Sequence, residues 1–241
     1  MPARSLRFPL VPLVLLAVLA LLGVALGIAP NHRQDWLLEN ALVVVGVLGL
    51  VLTWRRFPLS HLSYALIFVF LVLHEVGAHY TYAEVPYDEW FQALTGRTLN
   101  ERLSWERNHY DRLVHFSYGF LLAYPLRELF VRVADARGFW GYALPLDLVM
   151  STSMLYELVE WAAAEFFGGE LGVAYLGTQG DIWDAHKDML LATTGAALAL
   201  TLTALVHRRL DRDFQREWAA SLRVKHAEPL GEVAVERLRQ E

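Results

Sequence analysis

The side chains in this sequence that could do chemistry fall into four short groups. His74-Glu75-Val76-Gly77-Ala78-His79 sets two imidazoles around a carboxylate, and Asp111 precedes His115 by four residues. Glu157 and Glu160 are three apart, and Asp181, Asp184 and Asp188 follow at spacings of three and four. On a helix, residues three and four apart are surface neighbours, so each of the last three groups shares one face. Clustered carboxylates and imidazoles hold divalent cations, share protons, or act as general acids and bases. The first group is one residue too long for the zincin H-E-x-x-H, and its histidines lie about 140° apart on a helix. No G-x-S-x-G elbow is present. The absence of cysteine excludes disulfides and thiolate metal sites.

What positions these groups is a set of apolar runs. The chain has 241 residues, 55% of them hydrophobic, and a net charge of −5 with no basic stripe, which argues against a nucleic-acid partner. A helix needs roughly 20 apolar residues to cross the hydrocarbon core of a bilayer. The sequence predicts six such spans, at about 8–28, 36–54, 58–80, 109–132, 139–166 and 182–207, so that membrane lipid is the main solvent. Lipid cannot satisfy an open sheet edge, so the fold class is all-α, a polytopic helical bundle. The first span is too long for a signal-peptide core and is read as uncleaved. Pro125 and Pro145 fall inside spans and are expected to kink them. Residues 208–241 form a charged tail, and 81–108 an amphipathic loop with a short interfacial helix near Pro86 to Leu94.

Arginine bias sets the orientation. Arg4 and Arg7, Arg55 and Arg56, Arg127, Arg132 and Arg137, and Arg208, Arg209, Arg212 and Arg216 all fall on one side. The other side has Arg33 and a loop in which Arg97, Arg102 and Arg107 are balanced by acids. Both termini are therefore expected to be cytoplasmic, and the four reactive groups gather near the outer face. Carboxylates held at one depth repel unless a cation, shared protons or basic residues neutralise them. Arg107, Arg112 and Lys187 are too few for this role, so a divalent cation (Mg, Mn, Zn or Fe) is the expected neutraliser. The ligand candidates are Asp111, His115, Glu157, Asp184 and Asp188, with His79 and Asp181 at the periphery. Glu160 or Glu75 would be the general base. Blander readings remain open: His74 as a capping or core histidine, and Asp111 and Asp181 as acids favoured by helix N-termini. Glu128 is expected to pair with Arg132 at i+4.

The segments His74–Tyr82, Asn108–Arg112 with His115-Phe116, Tyr156–Trp161, and Gly177–Asp181 with Trp183–Ala185 and Lys187–Met189 resemble the YjdF family of bacterial inner-membrane proteins. The resemblance implies a helical membrane fold in the inner membrane, and brings no established reaction. His186 stands where a glutamine is expected. Asp111-x-x-x-His115-Phe116, Glu157-x-x-Glu160 and Asp184-x-x-x-Asp188 also resemble, more distantly, VanZ-like membrane proteins, which implies an envelope-related role. The reading is a metal-assisted enzyme acting on a lipid or envelope precursor. The rivals are an ion- or proton-coupled transporter and an assembly protein without catalysis.

Overall fold

The computed structural model describes residues 10–167, 178–210, 213–225 and 231–240. Arg4, Arg7 and Arg212, used for the orientation, and Gly177 of the family resemblance lie outside them. Among the described residues the chain is helical throughout, with no strand. The elements are α1 (Leu10–Leu26), α2 (Arg33–Thr53), α3 (His61–His79), α4 (Tyr87–Thr95), α5 (Leu99–Leu103), α6 (Tyr110–Val133) and α7 (Trp140–Phe167). After these come α8 (Asp184–Leu210), α9 (Phe214–Ser221) and α10 (Glu232–Gln240). By length and composition α2, α3 and α8 can cross a membrane, while α1 is apolar but shorter. α6 and α7 are longer than α3, but proline and charged residues break their apolar character. Leu21, Val24, Leu52 and Leu190 on α1, α2 and α8 are largely exposed, as side chains facing lipid are.

α3 starts at Ser60, whose hydroxyl accepts the Ser63 N–H, a side-chain cap on an otherwise orphaned donor. α6 and α7 run through Pro125 and Pro145, both buried. α4 begins one residue after Pro86 and ends at Gly96, whose left-handed φ of 79° suits glycine.

α6 is the centre of the bundle, packed against α8, α3 and α7, while α1 and α2 lean on α3. The closest approach is between α6 and α8. A methyl group at Gly119 would run into the Ala192 carbonyl, and one at Gly195 into the Phe116 carbonyl. Ala123, Ala192 and Ala196 are fully buried in the same seam. Small residues let helix backbones touch in lipid, where packing replaces the hydrophobic drive. His115 lies one turn before Gly119, and Asp188 one turn before Ala192. The seam therefore fixes these two side chains opposite one another.

The tail is more than a charged extension. Phe214 and Trp218 of α9 pack on Tyr142, and Ser221 accepts from the Phe139 N–H and the Trp140 indole. These aromatics are partly buried against the N-terminal end of α7.

Candidate metal centre

Asp111 and His115 from α6 and Asp188 from α8 each present a ligand atom, all within 4.8 Å of one another. His115 Nε2 lies 3.5 Å from Asp111 Oδ1 and 3.8 Å from Glu157 Oε1. Tetrahedral bonds of 2.0–2.2 Å would set ligand atoms about 3.4 Å apart. The group needs only small side-chain rotations to reach that geometry. Asp188 is 2% exposed, and its Oδ1 has no hydrogen-bond partner; neither has Glu157 Oε1. An unmade buried hydrogen bond costs about 1–3 kcal/mol for a neutral group and more for a charged one. These oxygens are thus poised for a proton or a cation, and one imidazole with three carboxylates suits zinc, manganese or iron.

Beside this group is an ionic rim. Arg107 reaches Asp184 at 2.7 Å and Asp181 at 3.5 Å. Arg112 bridges Asp181 and Asp184, and Lys187 meets Asp181 at 2.6 Å. The hydrogen bond from the Lys187 ammonium, with help from the Trp183 N–H and Arg112, holds the Asp181 carboxyl down at about 2. Asp184 is buried and bound to Arg107, so at the rim the chain supplies its own counter-charges.

On the other side lies a cavity of about 480 Å³ between α2, α3, α6 and α7. His74, Tyr82, Asp111, His115, Tyr156 and Glu160 line its polar end, and Leu42, Val47, Leu50, Ile67, Leu122 and Leu126 are among its apolar walls. From Asp111 to Leu126 the wall follows α6 for roughly 22 Å at 1.5 Å per residue. The cavity is therefore amphipathic, with its carboxylates and imidazoles at one end and the hydroxyls of Tyr118, Thr152 and Ser153 further along.

The polar end is tied together by a residue of α2. Glu39, 6% exposed, accepts from Tyr156 at 2.8 Å and stands 3.4 Å from the Tyr82 hydroxyl. Tyr82 bonds His74 Nδ1 at 2.7 Å, and His74 Nε2 faces the Glu39 carbonyl at 3.4 Å. His74 is thus a member of a buried network and caps no helix end.

Asp111, His115, Glu157 and Asp188 come together, and Glu160 joins them along the cavity wall. Asp184 and Asp181 stand beside them in the rim. His79 and Glu75 do not converge with this group. His79 Nδ1 sits 2.7 Å from the Leu26 carbonyl at the end of α1, and the Glu75 carboxylate lies beside Gly23 of α1. Glu39, Tyr82 and Tyr156 were not singled out from the sequence. The signal for Glu39 was present: an acid one turn inside an apolar span is a functional candidate in its own right.

Residues 11–209 match the family described as "Predicted membrane protein (DUF2238)". The chain is 38% identical over 197 residues to the inner membrane protein YjdF of Escherichia coli (strain K12), covering 81% of this chain and 90% of that protein. No solved structure matches it. With its apolar helices, this likeness makes the protein a resident of the bacterial inner membrane. The chain belongs to the DUF2238 family of membrane proteins.

Proposed function

We propose that this protein is a divalent-cation-dependent membrane enzyme acting on a lipid or lipid-linked envelope precursor. The observation that carries the reading is the junction of the two sites. The Asp111–His115–Asp188 group adjoins the polar end of a cavity whose other walls are mainly apolar. Such a space suits an amphipathic molecule with its polar atoms at the cation and its hydrocarbon in the shaft. Asp111, His115, Glu157 and Asp188 would hold the cation, with Asp184 and Asp181 shaping the field beside it. A cation there would polarise the substrate and acidify a bound water or hydroxyl, whose proton Glu160 would accept. Glu160 fits that role better than Glu75 because it lines the cavity. A transporter is less well supported, because the ionisable groups that would carry an ion, His74, Asp111, His115 and Glu160, sit at one end of the cavity. The likeness of these motifs to VanZ-like proteins points toward the envelope as well.

In this reading the chain crosses the membrane six times, with both termini cytoplasmic and the centre near the outer face. Reporter fusions after Pro86 and Gly169 should read as extracytoplasmic and one after Arg216 as cytoplasmic. An active cytoplasmic reporter at Gly169 would overturn that arrangement. For the cavity, Gly46 lines the wall and a Cβ added there meets nothing within 4 Å. Gly46→Trp should therefore fill the space. Native mass spectrometry of the full chain should find co-purifying lipid on the parent and little on Gly46→Trp, with bound metal equal in both. Equal lipid on both proteins would remove the cavity from the mechanism. Any metal-dependent lipid turnover should vanish in Glu160→Gln with the cation retained.

A further inference from the structure

Counting hydrogens in the Glu39 network shows that it needs a proton beyond those of a neutral histidine, a tyrosine and a carboxylate. His74 Nε2 faces the Glu39 carbonyl oxygen, which can only accept, so Nε2 carries a hydrogen. In a neutral imidazole Nδ1 is then bare, and it takes the Tyr82 hydroxyl proton across 2.7 Å. That leaves Tyr82 no hydrogen to offer Glu39 Oε2, 3.4 Å away. Two bare oxygens facing each other in a buried site are unfavourable, since low dielectric magnifies the repulsion.

One added proton resolves the conflict in either of two arrangements. Glu39 can be a carboxylic acid whose O–H donates to Tyr82, which in turn donates to His74. Alternatively, His74 can be an imidazolium whose Nδ1–H donates to Tyr82, freeing the Tyr82 hydroxyl for Glu39. Passing from the first to the second breaks the O–H bond of Glu39 and forms one at Tyr82. It also breaks the original Tyr82 O–H bond and forms N–H at His74. Glu39 becomes anionic, His74 cationic, and the net charge is unchanged.

The Tyr156 hydroxyl extends this chain to the cavity. It donates to the same Glu39 oxygen at 2.8 Å, lines the cavity, and its ring lies 6.1 Å from that of His115. We propose that Glu39, Tyr82 and His74 hold one shared proton beside the polar end of the cavity. This resting proton does not depend on the enzymatic reading.

The test is a proton count on the full chain in lipid nanodiscs, without added metal or substrate. Infrared difference spectra against Glu39→Gln report whether Glu39 is acid or carboxylate. Nitrogen-15 spectra, with His74→Gln for assignment, report whether His74 is neutral or charged. The expected result is one proton between them: acid with neutral imidazole, carboxylate with imidazolium, or a mixture whose fractions are complementary. Carboxylate with neutral imidazole, or acid with imidazolium, overturns the proposal. If either variant fails to fold, Tyr82→Phe removes only the linking hydroxyl and should shift the Glu39 and His74 signals together. A change at one alone, or at neither, overturns it. Because no metal enters the measurement, failure of the cation reading leaves this outcome readable.

Discussion

Glu128 and Asp188 are both acids held inside the bundle, and the chain surrounds them in opposite ways. Glu128, toward the C-terminal end of α6, receives the Ser60 N–H at 2.9 and 3.0 Å, the Ser63 hydroxyl at 2.5 Å and Arg132 at 2.6 Å. Arg132 also reaches the Pro58 carbonyl, so the turn before α3 is fastened to α6. Asp188, near the N-terminal end of α8, has an oxygen with no donor, and so has Glu157 beside it. A sequence that can satisfy a carboxylate so fully at one end is able to do so at the other. Where it withholds donors from buried charge, the partner is expected from outside the chain.

The largest expected effect breaks the open side of this contrast. Asp188→Asn should lower thermal stability in the presence of cation, by about 2.7 kcal/mol if the free cation is a hundredfold above Kd. A chelator should lower the parent by the same amount and leave the variant nearly unmoved. If protons are the neutralisers, Asn mimics the protonated acid, and the variant should be neutral or stabilised. That result would make Asp188 a second satisfied acid and dissolve the comparison.

Gly119→Val comes next, because its side chain would force α6 away from the Ala192 backbone. Overpacking of this kind costs about 1–3 kcal/mol. Since His115 and Asp188 lie one turn from the seam, metal affinity should fall with stability, unlike in a variant on the outer, lipid-facing surface. Glu128→Gln should cost about 1.5 kcal/mol in thermal unfolding, the low end for a hydrogen bond to a charged group because the carboxamide oxygen can still accept, with bound metal unchanged. A loss of metal in that variant would show that the two ends are not independent.

The smallest effect belongs to the rim. Asp181 has a carboxyl lowered from 3.8 to about 2, chiefly by Lys187. A depressed acid stabilises the fold above its unfolded value, and that contribution disappears as pH falls through the folded one. Between about pH 4 and 2 the parent should therefore lose more thermal stability than Asp181→Asn. Equal losses would mean that the rim contributes nothing.

Much of this organisation was legible in the sequence because it rests on local periodicity. The apolar runs gave the helices, and the i,i+3 and i,i+4 spacings gave Asp111 with His115 and the stripe leading to Asp188. The pairing of Glu128 with Arg132 followed from the same rule and is present at 2.6 Å. The unseen part depends on which helices meet. Spacing along α3 could not reveal that Glu75 turns toward Gly23 of α1 while His74, one residue earlier, turns toward Glu39 of α2. Nor could it show that glycine and alanine bring α6 onto α8, because small residues leave little trace in an apolar run. Spacing also could not show that Arg107 meets Asp184, 77 residues away, because its reach depends on the loop before α6.

The most direct test of the central claim is elemental analysis of the full-length protein, purified without chelator, beside an Asp111→Asn/Asp188→Asn double variant. The account predicts a stoichiometric divalent cation in the parent and its loss in a variant that remains folded, judged by circular dichroism and gel filtration. No cation in the parent even after incubation with zinc, manganese, iron and magnesium, together with unchanged stability in the variant, would contradict it.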